Sequence, residues 1–194
     1  PATVPAGTDF EKIKWTPGIY DSVSLQLADN PVIESIQVAP DIRTSSILVE
    51  TIVRSYGTAL KTPVKFVVQT WPDKRVVAAS DAAEVSVPGH GTSTTRTRIR
   101  IPNAQLWSPE RPFLYTLTAS TSGDSVATRF GMREFRFDTP TRRAYLNGKP
   151  YFLRGSNITL HRFFEDPNCG RLPWDRAWGR KMLVDMPKKM HWNS

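Results

Sequence analysis

The side chains able to do chemistry cluster late in the sequence. Asn157 and His161 close the run YLNGKPYFLRGSNITLH, Tyr145–His161, and Glu165, Asp166 and Cys169 follow it within a few residues. They offer an amide, an imidazole, two carboxylates and a thiol. A thiol nucleophile needs a base that lowers its pKa. His161 is the nearest histidine in sequence to Cys169, but nothing in the spacing joins the two, so Cys169 reads as structural or incidental. With a single cysteine the chain forms no internal disulfide. No metal and no cofactor is expected from the residue pattern. A second cluster, TRTRIR at Thr95–Arg100, belongs with a net charge of +8 and raises nucleic acid as a partner. On a strand Arg96, Arg98 and Arg100 share one face, with Ile99 and Ile101 on the other. No aromatic residue interleaves them between Gly91 and Leu106, and a stacking surface needs aromatics. A solvated strand face is the expectation, with no nucleic acid as partner.

The elements that position these residues are mostly strands. The chain has 194 residues, 39% hydrophobic and 23% charged, a globular composition. No apolar run approaches the roughly 20 residues of a membrane-spanning helix, so no membrane partner is expected. PATVPAGTDFEK shows no signal peptide. That is silent on secretion if the sequence begins inside a longer protein, and the compartment stays open, a periplasmic or secreted parent included.

Strand-like runs are expected at Ile19–Leu27, where Val23, Leu25 and Leu27 alternate with polar residues. Others follow at Val32–Val38, Ser46–Ser55, Val64–Trp71, Arg75–Ala79, Glu84–Val87, Thr92–Ile101, Phe113–Ser120 and Ser125–Phe137. Their spacing predicts an antiparallel β-sandwich, and the length from Asn30 to Asp138 suits an immunoglobulin-like domain. NAQLWSPERP, Asn103–Pro112, cannot be a helix interior because of Pro109 and Pro112. Leu106 and Trp107 are expected to plug a corner of the sandwich there.

After Thr139-Pro140 the pattern changes. Asn147-Gly148 between Ala144–Leu146 and Tyr151–Gly155 predicts a two-residue type I′ hairpin. Tyr151–Arg154 reads as a short strand buried on both faces. Asp175 reads as the N-cap of an amphipathic helix carrying Trp178, Met182, Leu183 and Met186, which Pro187 kinks or ends. MHWNS, Met190–Ser194, reads as a turn into another strand. Strand, long loop, helix and incipient strand make one βα unit of a parallel domain. The fold expected is therefore mainly β: an immunoglobulin-like antiparallel β-sandwich, then the first βα unit of a truncated (β/α)8 barrel.

Three segments carry a resemblance. LWSPERPFLYTLTAS (Leu106–Ser120), RFGMREFRFD (Arg129–Asp138) and LNGKPYFLRGSN (Leu146–Asn157) resemble, in order and spacing, glycoside hydrolase family 2, the β-galactosidases, β-glucuronidases and β-mannosidases. GIYDSVSLQL (Gly18–Leu27) resembles the last strand of that family's N-terminal jelly-roll, and MHWNS the start of its second barrel strand. The resemblance spans Gly18–Ser194. It implies three parts: 1–29 as the tail of a jelly-roll sugar-binding-type domain, 30–139 as the sandwich, and 140–194 as the beginning of a catalytic barrel.

The resemblance also implies a retaining glycosidase with two glutamates, an acid/base and a nucleophile, about 5–5.5 Å apart. In the family these lie on later barrel strands, so no catalytic residue is assigned here, Glu165 and Asp166 sit in the wrong place, and the piece is expected to be inactive alone. Carbohydrate is the implied substrate. Asn157 and His161, at the mouth of the first strand, are the candidate substrate-binding residues. For His161, a loop histidine bonded to nearby backbone is the other reading. The family's β-galactosidases and β-glucuronidases carry a His-Glu pair after the asparagine. Thr159 and Leu160 stand there in this chain, which leaves the sugar open. Asn157-Ile158-Thr159 also fits an N-glycosylation acceptor, set aside because it lies in the implied barrel mouth. Arg154 is expected in an internal ion pair. Without barrel partners, the apolar face of 140–194 is expected to cover itself on the sandwich, on another copy, or to stay disordered. A free-standing carbohydrate-binding or adhesion module is the competing expectation.

Overall fold

In the computed structural model, residues 22–158 and 166–193 are described. Two antiparallel sheets face each other. The first has β1 (Val32–Asp41), β2 (Ser46–Arg54) and β6 (Thr92–Arg100) in the order β1-β2-β6. The second has the order β4-β3-β7-β8, from β3 (Leu60–Trp71), β4 (Val76–Ala79), β7 (Leu114–Ser120) and β8 (Ser125–Phe130). A further strand, β5 (Ala83–Val87), pairs with the first half of β3, and β4 with its second half.

Alternation builds the core between the sheets. In β2 and β3 every second side chain is buried, among them Ile47, Val49, Val53, Val64, Phe66 and Val68. Tyr115, Leu117 and Ala119 of β7 meet them from the neighbouring strand. Each buried Val, Ile, Leu or Phe among them contributes about 1.5–3 kcal/mol before entropy is counted. The fold is thus mainly β and a β-sandwich.

Five expectations need correction. Ser22–Leu27 forms no strand, and Val23, Leu25 and Leu27 are exposed; Ile19–Asp21 lies outside the described residues. Alternation supplies an apolar face but not a strand to pair with, and no ladder among the described strands includes Val23–Leu27. β3 starts before Pro63 rather than after it. At Leu60–Val64 the strand has only β5 beside it, because β7 pairs from Lys65 onward, so a missing N–H does not break a central ladder. The run from Ser125 is two strands, broken at 131–134. Its second half, β9 (Phe135–Asp138), leaves the sandwich and pairs with β10 (Arg143–Leu146), which pairs with β11 (Lys149–Pro150). Leu106 does not plug a corner; it is exposed, joined to Met132 by one bridge.

The fifth correction concerns Tyr151–Arg154. It is not a strand buried on both faces: residues 151–158 have no regular secondary structure, and Phe152 is 80% exposed. A parallel strand is buried only by its neighbours on the sheet and the layers above and below, and the described residues supply almost none.

The hairpin itself is as expected. Asn147 (φ 51°) and Gly148 (φ 77°) both take positive φ, and Leu146 faces Lys149. Asp175 caps its helix by accepting from the Ala177 N–H at 2.8 Å. The helix runs as α1 (Arg176–Arg180), a π turn (Lys181–Asp185) and α2 (Met186–Lys189). Pro187 has no N–H and its ring would strike the carbonyl four residues back. Widening the turn just ahead of it relieves that clash. No residue of 151–158 or 166–193 is buried.

Candidate functional site

The stretch bearing Asn157 is reached through a joint of three segments. Trp107, in the β6–β7 connection, donates its N–H to the Met132 carbonyl at 2.9 Å. Its side chain lies so close to Gly131 that a Cβ there would come within 2.9 Å of the Trp107 Cβ. The Arg133 guanidinium sits 4.4 Å from the Trp107 ring centre. The hairpin turn docks on the same place. The Asn147 N–H donates to the Glu134 carbonyl at 2.9 Å. Its Oδ1 accepts from the Glu134 N–H at 3.0 Å and its Nδ2 donates to the Trp107 carbonyl at 2.9 Å. Asn-Gly signalled the turn; the bonds made by the Asn147 side chain carried no signal in sequence.

From Phe152 the chain runs out exposed to Asn157. Asn193 comes back to it. The Asn193 N–H donates to the Arg154 carbonyl at 2.8 Å, and the Arg154 N–H donates to Asn193 Oδ1 at 2.8 Å. Asn193 Nδ2 also donates to the Phe152 carbonyl at 3.0 Å. One residue thus satisfies three backbone groups of the extended segment. For Arg154 the described residues give these backbone bonds and no ion pair.

Asn157 is exposed, and the Ser156 hydroxyl reaches its carbonyl at 3.5 Å. His161, Thr159, Leu160 and Glu165 lie outside the described residues. Asp166 caps a short 3-10 turn (Pro167–Cys169), accepting from the Asn168 N–H at 2.9 Å. Partial burial, then the nearby Asp166 carboxylate, push the Cys169 thiol above its ordinary pKa. That is the opposite of an activated nucleophile. No cluster of three or more metal-ligating side chains occurs among the described residues. Two shallow, open concavities are lined by Leu27–Asp29 with Ser120, Thr121 and Gly123–Ser125, and by Ala59–Lys61 with Ser86–Pro88. Neither includes Asn157.

The arginine face of β6 is exposed as expected, with Ile99 buried behind it. Arg96 pairs with Glu50 at 2.7 Å, and Arg98 reaches Ser46 Oγ at 3.1 Å and Asp41 at 3.9 Å. Residues 1–139 hold 15 Lys and Arg against 14 Asp and Glu, so nearly all the net charge of +8 lies after Thr139. Within 30–139 the balance is 13 Lys and Arg against 10 Asp and Glu, a surplus of three.

Comparison with known proteins agrees with this geometry. The family model described as glycosyl hydrolases family 2 matches residues 32–133, more than half of the chain. The chain belongs to glycosyl hydrolases family 2. Among solved structures, a family 2 member from Bacteroides cellulosilyticus DSM 14838 is similar at 19% identity and a TM-score of 0.59, over 66% of this chain and 19% of that one. A family 2 β-galacturonidase from Eisenbergiella tayi bound to galacturonate is 25% identical, with a TM-score of 0.55, over 63% and 21%. A Bacteroides uniformis β-glucuronidase is 18% identical, with a TM-score of 0.50, over 72% and 18%. This family 2 chain therefore spans about a fifth of the length of the structures it matches.

Proposed function

We propose that this family 2 chain is the supporting sandwich and barrel entrance of a retaining glycoside hydrolase that cleaves O-glycosidic bonds in carbohydrate. The observation that carries the reading is the family match over 32–133, lying on the two-sheet core. An immunoglobulin-like assignment is supported by the strand orders β1-β2-β6 and β4-β3-β7-β8. It is also supported by Tyr115 near the start of β7, whose hydroxyl accepts from the Gln105 N–H at 2.8 Å, in the manner of a tyrosine corner. A barrel entrance is supported by the order hairpin, extended segment, helix, and by Asn193 bonding back beside Phe152 and Arg154.

In this reading residues 1–29 close a preceding domain, 30–139 form the sandwich and 140–194 open the barrel. β9 falls on the sandwich side of that boundary and pairs across it, which ties the two parts together. Asn157 and His161 line the sugar site. The two glutamates, about 5–5.5 Å apart, are supplied from outside residues 1–194, one attacking the anomeric carbon while the other protonates the leaving oxygen. Exposed Phe137, Phe152 and Trp174 are the surface through which isolated copies self-associate.

The test is turnover of a panel of aryl glycosides, β-galacturonide and β-glucuronide among them because two of the similar structures bear those activities in their names. The natural protein carrying this chain is expected to release aglycone from at least one, and residues 1–194 alone from none. Activity in residues 1–194, or a silent panel for the natural protein, sinks the proposal.

A further inference from the structure

The type I′ turn asks only for residues that accept positive φ, so glycine would serve at either central position. It does not explain the rest of Asn147. That side chain is half-buried and uses both ends of its amide, Oδ1 on the Glu134 N–H and Nδ2 on the Trp107 carbonyl. Asparagine is suited to both at once, being a donor and an acceptor on one short stem. The two bonds go to different segments. Glu134 lies in the break where the chain leaves β8 for β9, and Trp107 lies in the β6–β7 connection. Trp107 is itself fixed by Met132, Gly131 and Arg133. Among the described strands, no ladder joins the sheet β9-β10-β11 to the sandwich sheets, and the chain enters it through 131–134.

We propose that Asn147 is the positioning residue of this joint, its side-chain amide setting the direction in which 151–158, and with it Asn157, leaves the sandwich. The inference deepens the proposed function but rests on the joint's own geometry, and its test does not read activity. Asn147→Gly keeps the turn and removes both side-chain bonds. Asn147→Asp keeps the acceptor and loses the donor to Trp107.

The full chain is used, with Cys169→Ser as background and spin labels on Lys65→Cys of β3 and Lys149→Cys of β11, both exposed positions. In Asn147→Gly the label-to-label distance distribution is expected to broaden. Hydrogen-exchange protection of the Glu134 amide is expected to fall about tenfold, while Val68 and Leu117 in the core keep theirs. Asn147→Asp is expected to broaden the distribution while sparing Glu134. An unchanged distribution in Asn147→Gly, or unchanged Glu134 protection, overturns the proposal. So does loss of protection at Val68 and Leu117, since Asn147 would then serve the sandwich rather than the joint.

Discussion

Thr51 shows how little of a residue's role lies in its type. It sits on β2 with no exposed surface, and its Oγ1 is buried with no hydrogen-bond partner among the described residues. A buried hydroxyl without a partner keeps its desolvation cost. Thr51→Val replaces it with a methyl on the same branched frame and is expected to raise stability by about 1 kcal/mol, read as a higher urea midpoint at constant slope. A lower midpoint would mean the hydroxyl has a partner. Cys169 makes the complementary case, a reactive type held unreactive. Its raised thiol pKa predicts alkylation by iodoacetamide slower than in a free cysteine peptide at about pH 8. Asp166→Asn should speed it by removing one neighbouring charge. Equal rates for both proteins would discount that carboxylate.

Among the elements, the β9–β10 pair depends on a carboxylate. The Asp138 side chain accepts from the Thr141 hydroxyl at 2.6 Å and the Thr141 N–H at 3.1 Å, and meets Arg136 at 2.7 Å. The Thr141 hydroxyl first, and Arg136 next, hold its pKa below the ordinary carboxylate value. A lowered folded pKa means that the contribution is fully present above the unfolded value of about 3.9 and is lost as pH falls through the folded one. Amide protection in β9 and β10 should therefore drop as pH falls below about 4, before the sandwich core loses its own. Asp138→Asn should flatten that dependence. A β9–β10 protection profile parallel to the core's would assign the acid sensitivity elsewhere.

At the scale of the whole molecule the contrast is between a sealed sandwich and an open tail. The core contains Phe66, Leu117 and Met132 with almost no exposed surface. After Thr139 only Ala144 and Leu146 are buried among the described residues, while Phe152 and Trp174 stand 80% and 75% exposed. The same tail carries 11 Lys and Arg against four Asp and Glu. Apolar exposure favours association and like charge opposes it, so salt should decide the balance. Sedimentation of the 194-residue chain is expected to shift toward dimers as concentration and salt rise, and Phe152→Ser should weaken the shift. A monomer unaffected by either would show that the tail covers itself.

The sequence by itself determined the sandwich, because side-chain alternation in β2, β3, β6 and β7 is a local property that one buried face reads directly. It also determined the Asn147-Gly148 turn and the Asp175 cap, whose bonds close within a few residues. Tertiary structure alone decided whether a strand-like run finds a partner. Ser22–Leu27 and Tyr151–Arg154 have the residues of strands, yet a strand's hydrogen bonds and burial come from neighbours elsewhere in the chain. It alone split Ser125–Phe137, at a break where the Trp107 side chain lies against Gly131, 24 positions away. For the candidate site, sequence named Asn157 and His161. What fixes the path to Asn157 is the Asn147 amide and the return of Asn193, contacts over 40 and 39 positions that no local pattern encodes.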